Sequence, residues 1–233
     1  MDFGKAFTYV FEDKNWMMKV LVGGLISLIP IAGIILVIGY MLTAMKNIAD
    51  GQAEPLPEWS NFGEFFMKGL YAFVGVLILF IPVIVLACCV GILTTFAGGA
   101  AGSTMSSSSS AQSAGGAVAS IIGIVSICVN CLIGLYSLVV GLSLYAPLTR
   151  FAMSANQLSL FWDFKGNFDF IMKNVTNYLI ALVVAWVASF VAGFGIILCF
   201  VGVFFTTFWS SLVAAHAFGQ FWRASQGMGT TAA

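Results

Sequence analysis

Apolar and charged positions are segregated along this chain so strongly that they outline its architecture before any motif is considered. The eighteen charged residues fall in four clusters: Asp2 to Lys19, Lys46 to Lys68, Arg150 to Lys173, and Arg223 alone. Between them run uncharged, mostly apolar stretches at 20–45, 69–149 and 174–222, which hold 26, 81 and 49 residues. One membrane-crossing helix needs only about 20 apolar residues, so each of the two longer stretches must hold more than one. The longest divides at residues 98–117, where Gly, Ala and Ser dominate. Side chains that small offer too little apolar area to pack, which predicts a disordered loop between helices near 69–96 and 118–148. The 49-residue stretch divides at Gly193-Phe194-Gly195, where two glycines permit a tight reversal between helices near 174–192 and 196–221.

The stretch 20–45 either crosses once or folds back at Pro30-Ile31-Ala32-Gly33. Lys and Arg mark the cytoplasmic side of a membrane protein, so the two arrangements can be compared by counting cations. A single crossing leaves six cationic residues inside and three outside. Folding back puts all nine on one side, from Lys5 to Arg223, and leaves none in the outer segments. The hairpin is the better arrangement, although Asn15 to Ile29 spans only about 22 Å against a hydrocarbon core of ~30 Å. The predicted fold is therefore an all-α polytopic integral membrane bundle. It has three helical hairpins and six membrane segments, the first two short enough to be re-entrant. Along the single membrane domain 1–233 this gives an interfacial helix at 1–14, hairpin 1 at 15–49 and a cytoplasmic interfacial segment at 50–66. Hairpin 2 follows at 67–149, a second interfacial segment at 150–172, hairpin 3 at 173–222 and a tail at 223–233. Acids at Asp2, Glu12 and Asp13, and a first apolar stretch longer than a secretory h-region, argue against a cleaved leader.

Residues near the boundaries fit a membrane surface. Phe3, Phe7, Val10 and Phe11 stand at helical spacing opposite Lys5, Thr8 and Glu12, the pattern of an amphipathic helix with its aromatic edge in lipid. Trp16, Trp59 and Trp162 each lie beside a charged cluster, where indole prefers the interface. Met18-Lys19, Met67-Lys68 and Met172-Lys173 open three apolar stretches with one dipeptide, as a repeated hairpin unit would. In that reading Lys19, Lys68 and Lys173 snorkel to the headgroups as interfacial anchors.

Composition narrows the function. The chain is 61% hydrophobic and 8% charged, against about 25% charged in a soluble domain, so membrane lipids are its solvent and first partners. Nine basic and nine acidic residues leave no basic footprint for nucleic acid. His216 is the single histidine, no paired carboxylates lie within a predicted span, and no G-x-S-x-G or Walker sequence occurs. No catalytic, cofactor-binding or metal-binding residues are assigned, no cofactor is expected, and an enzyme is not the expected class. The polar residues within predicted spans, among them Asn130, Thr94, Thr95, Ser189 and Thr206, pack helices in one reading and line a path in another. Cys88 and Cys89 lie at about the same depth as Cys128 and Cys131 on two helices joined at the outer side, which makes these four a candidate thiol cluster or disulfide. The alternative is that they are small apolar packing residues.

Gly39-Tyr40, Asp50-Gly51 and Leu56-Pro57-Glu58-Trp59, followed by Gly69, form a pattern confined to roughly residues 3–70. It resembles the prokaryotic polytopic membrane proteins grouped as domain-of-unknown-function family 4013. The resemblance implies a multi-pass protein of the bacterial or archaeal cytoplasmic membrane, and it carries over no catalytic residue. With both termini cytoplasmic, the expected role is a non-enzymatic scaffold or subunit of a membrane complex, with protein partners in the membrane. The alternative is a transporter or lipid-handling protein. An enclosed cavity lined by Asn130 and the hydroxyl residues would favour the alternative, and a solid bundle would favour the scaffold.

Overall fold

The computed structural model describes residues 3–103, 109–197 and 201–228, with no strand among them. The helices are α1 (Phe3–Glu12), α2 (Trp16–Ser27), α3 (Ala32–Ala49), α4 (Phe62–Ser103), α5 (Ser109–Ser143), α6 (Tyr145–Met153), α7 (Phe164–Lys173), α8 (Val175–Gly193) and α9 (Gly202–Ser225). Short 3-10 turns stand at Leu158–Phe161 and Phe194–Ile197. Four described helical stretches are long and apolar enough to cross a membrane: Ala32–Ala49, Phe62–Thr95, Ser120–Met153 and Val175–Ile197. Trp16–Ser27 is apolar but shorter.

The breaks follow local chemistry. Between α2 and α3 the chain turns over Leu28 to Ile31, with Ile31 at a left-handed φ of 61°, where the Pro30 to Gly33 sequence calls for a turn. The second break falls at Phe194–Ile197, beside the Gly193 to Gly195 pair. Two expectations are corrected. Residues 98–103 continue α4 and 109–117 open α5, so the span 98–117 is not a loop throughout. Residues 104–108 lie outside the described part of the chain. Once a helix is nucleated, each added residue costs little and Ala propagates it best, so small side chains alone do not end it. The expected single helix 118–148 is also divided, because α5 stops at Ser143 and α6 begins at Tyr145. Pro147 has no N–H to give the Ser143 carbonyl, which is the i−4 bond that would have joined them.

The chain forms two compact units, Met1–Val76 with Ser143–Ala233, and Leu77–Leu142. In the first, α9 packs against α8, α3, α2, α1 and α6. Phe208, Leu212, Val213, Phe218 and Phe221 of α9 are fully buried, and Tyr9, Val10, Tyr40, Ile48, Leu56 and Phe65 close on Phe208 and Leu212. Enclosure by other helices explains how α9 carries Ser210 and His216 as buried polar residues, for its surroundings here are protein. Only part of α1 follows the expected pattern. Phe11 is exposed, as a lipid-facing edge requires, but Ala6, Tyr9 and Val10 are buried, and Phe7 lies 6.1 Å from Trp209. In the second unit the Tyr136 hydroxyl donates to the Leu79 carbonyl at 2.7 Å, tying α5 to α4. That contact lies beside Pro82, which sits inside α4 and so does not repeat the turn made at Pro30.

Candidate functional site

The densest polar structure in the first unit is built around Lys19, one turn into α2. Its Nζ stands 2.8 Å from Asp13 Oδ2 and 2.9 Å from Glu58 Oε1, and donates to the Leu56 carbonyl at 2.9 Å. The other Asp13 oxygen accepts the Asn15 N–H at 2.8 Å, so the carboxylate both shapes the α1–α2 turn and receives the ammonium. The Lys19 and Asp13 side chains are 4% and 6% exposed, whereas Glu58 is 65% exposed. The Lys19 ammonium is thus turned to protein oxygens rather than to an exposed surface. An ammonium has three N–H groups, all three are accepted here by protein oxygen, and the buried charge is balanced by Asp13.

Trp59 is likewise engaged by the protein. Its indole N–H donates to the Lys19 carbonyl at 3.0 Å, and its ring stacks on Tyr40 at 4.3 Å between centroids. Tyr40 donates its hydroxyl to the Pro57 carbonyl at 2.8 Å, and Asn47 donates its amide to the Pro55 carbonyl at 3.0 Å. Proline lets a segment run extended and removes its own N–H, leaving carbonyls to be met from outside. Here α3 meets them. Gly39, next to Tyr40, lets α4 approach so closely that a Cβ would strike the Phe65 carbonyl, and Gly69 does the same against the Ile35 carbonyl. Gly51 ends α3 at φ 76°, a conformation that favours glycine. The glycines, Tyr40 and the Leu-Pro-Glu-Trp segment thus form one clamp joining α2, α3 and α4.

Beside the clamp is a cavity of about 340 Å³. Lys5, Tyr9 and Glu12 of α1, the Gly51–Pro55 loop, and His216, Gln220 and Arg223 of α9 line it. The Tyr9 and His216 rings stack at 4.4 Å, and the Tyr9 hydroxyl donates to the Leu212 carbonyl at 2.8 Å. Burial, with a smaller contribution from Tyr40, pushes the Tyr9 phenol well above its ordinary pKa. Tyr9 was not legible as a site residue. Its neighbours Phe7 and Phe11 dominate the hydrophobic pattern, and only the pairing with α9 selects the Tyr9 edge.

The remaining anchors are scattered. Trp16 is half-buried with its ring edge against Phe11 at 4.9 Å, and Trp162 is exposed. Lys68 is buried on α4, and Lys173 is exposed at the end of α7. The three Met-Lys dipeptides therefore place their lysines in three different surroundings. Cys88 and Cys89 on α4, and Cys128 and Cys131 on α5, are free and exposed. Cys199 lies outside the described residues. Arg150 holds a second polar knot, donating to Asn167 Oδ1 at 2.7 Å and to Asp163 Oδ2 at 2.8 Å. These bonds from Arg150, with the Gly166 N–H, hold the Asp163 carboxyl below the usual carboxylate range. Among the described residues no group of His, Cys, Asp and Glu is arranged to hold a metal ion.

Fold and clamp together define an all-helical protein with several helices able to cross a membrane, its first unit braced by ion pairs and aromatic stacking. The sequence profile of domain-of-unknown-function family 4013, described as a protein of unknown function, matches residues 22–201. The chain belongs to that family. The matched region contains Tyr40, Gly51 and Trp59, while Asp13, Lys19 and His216 lie outside it. No curated protein and no solved structure matches the chain.

Proposed function

We propose that this protein is a non-enzymatic, multi-pass component of the prokaryotic cytoplasmic membrane that acts by association, as a scaffold or subunit of a membrane complex. The observation that carries this reading is where the polar groups of the spans are directed. Asn130 donates its amide to the Ser126 carbonyl of its own helix, Thr95 bonds the Gly91 carbonyl, and Ser189 bonds the Ala185 carbonyl. Thr206 reaches the Ala192 carbonyl and so ties α9 to α8. None of these residues lines the cavity beside Tyr9. Groups bonded to helix carbonyls act as packing elements, whereas a permeant path needs them turned towards one lumen.

In this proposal α2 with α3, α4 with α5, and α8 with α9 are three membrane hairpins, both termini are cytoplasmic, and all nine cations lie on the inner side. Cysteine-accessibility labelling at positions 50 and 108 tests the topology. Inner labelling at 50 with outer labelling at 108 is expected, and outer labelling at 50 overturns it. The function is tested by extracting the protein in native lipid discs and identifying what copurifies. A protein partner recovered in fixed stoichiometry is expected. Recovery of the protein alone, together with solute or lipid movement in reconstituted vesicles, would replace the proposal by a transport or lipid-handling role.

A further inference from the structure

Helix α7 leaves a row of large apolar side chains exposed, although its other side is firmly packed. Asp163 starts the helix by accepting the Gly166 N–H at 2.9 Å, and Asn174 alone separates it from α8. At ten residues it spans only about 15 Å against a hydrocarbon core of ~30 Å, so it cannot cross a membrane. Three rows of side chains run along it. Asn167 and Phe170 face the protein: Asn167 accepts from Arg150 at 2.7 Å, and Phe170 meets the Phe221 ring edge-on at 5.0 Å. Phe164, Phe168 and Met172, spaced four residues apart, form the second row, each more than half exposed. Lys165, Asp169 and Lys173 form the third row beside it, and they are exposed as well. Neither lysine is ion-paired to a described residue.

Such a row is covered either by protein or by lipid, and its surroundings select lipid. Exposed apolar residues resume one residue after the helix break, with Val175, Leu179, Val183 and Phe190 at helical spacing on α8, which is long and apolar enough to cross a membrane. Residues of a spanning helix that face outward therefore adjoin α7 directly. Asn174, at φ −136° and ψ 36°, breaks the helix between the two, so α7 need not follow α8 into the bilayer. The charged row lies beside the apolar one, as in a helix at a membrane surface, and its two cations outnumber its single acid, which suits anionic headgroups. Trp162, exposed just before the helix, adds an indole, a group that prefers the same boundary. We infer that α7 lies in the membrane surface, with Trp162, Phe164, Phe168 and Met172 at the boundary between headgroups and acyl chains and Lys165 and Lys173 at lipid phosphates. Its third face is pinned to Arg150 and Phe221, so α7 is a fixed part of the lipid-facing surface rather than a loose anchor. The inference rests on the membrane reading of α8 and not on an associative role.

For the test, the full chain has its five cysteines replaced by alanine and one cysteine returned to carry a nitroxide, and is reconstituted in vesicles of phosphatidylcholine and phosphatidylglycerol. Collisions of the nitroxide with oxygen, which concentrates in acyl chains, are compared with collisions with a water-soluble nickel chelate. Phe164→Cys, Phe168→Cys and Met172→Cys should favour oxygen, as Leu179→Cys on α8 does. Lys165→Cys and Asp169→Cys should favour the chelate, so the preference reverses between the adjacent positions 168 and 169. A second readout stands whether or not the cysteine-free chain folds. The fluorescence contributed by Trp162, taken as the difference between the parent and Trp162→Phe, should be quenched in vesicles of lipid brominated high on its acyl chains. Chelate preference at all five α7 positions, or an unquenched Trp162, would place the segment in water and overturn the inference. Few collisions with either reagent at 164, 168 and 172 would show protein over the row, which overturns the inference while favouring the associative role.

Discussion

Replacing Lys19 with Met tests whether the ion cluster is internal structure or a membrane-surface anchor, because the two give opposite results. Met keeps the length of the stem but removes all three of the ammonium's hydrogen bonds. The three are unequal. Glu58 is 65% exposed, and an exposed ion pair contributes only about 0–1 kcal/mol. The Leu56 carbonyl loses one donor, worth about 1 kcal/mol. Asp13 decides the outcome, since at 6% exposure it becomes a buried charge with only the Asn15 N–H beside it. Removing one partner from a buried pair typically costs about 3–5 kcal/mol. Lys19→Met should therefore destabilise the protein by roughly that amount, and Glu58→Gln by no more than about 1 kcal/mol. Adding Asp13→Asn to Lys19→Met removes the stranded charge and should recover most of the loss, leaving about 1–2 kcal/mol. The assay is equilibrium unfolding in mixed micelles followed by tryptophan fluorescence, with Trp59 bonded directly to the Lys19 carbonyl as reporter. If Lys19→Met lies within about 1 kcal/mol of the parent, or the double variant is no more stable than the single one, the buried-pair account is refuted.

Gly39→Ala places a Cβ against the Phe65 carbonyl and should cost about 1–3 kcal/mol in the same assay. Gly134→Ala meets nothing within 4 Å and should be neutral or slightly stabilising. Trp59→Phe loses the bond to the Lys19 carbonyl and should cost about 1–3 kcal/mol, whereas Trp162→Phe, on an exposed ring, should stay within about 0.5 kcal/mol. Tyr9 has a raised folded pKa, so its contribution to stability is complete below the unfolded value near 10 and falls as pH rises from there towards the folded value. Melting temperatures from pH 8 to 11 should fall less steeply in Tyr9→Phe than in the parent, and equal slopes would argue against a buried phenol.

The parts of the fold legible from the residues alone are those governed by short-range chemistry. Apolar runs longer than one span needs had to contain reversals, and Pro30 and the Gly193 to Gly195 pair sit where the chain turns, because proline and glycine act on their own backbone. The same locality explains a failure. The Gly, Ala and Ser run at 98–117 lacks apolar area, which is a statement about packing, and it does not forbid the helix that α4 and α5 continue into it.

The Gly-Tyr, Asp-Gly and Leu-Pro-Glu-Trp pattern was visible as a pattern, and its relation to domain-of-unknown-function family 4013 was legible with it. What the pattern does was decided only by folding. A lysine after a methionine has the same local sequence whether it reaches water or a carboxylate, and of the three Met-Lys dipeptides two bury their lysine, Lys19 and Lys68, while Lys173 is exposed. Lys19 is internal because Asp13, six residues before it, and Glu58, 39 residues after it, converge on its ammonium. Trp59 is held where it is because Tyr40 offers a ring and Lys19 a carbonyl. Tyr9 and His216 come from opposite ends of the chain, and no periodicity within either helix announces their stacking. Spacing along a helix specifies which residues share a face. Which face is buried, and which charges become partners, depends on the helix that packs against it, and for α1 and α2 that helix is α9, close to the far end of the chain.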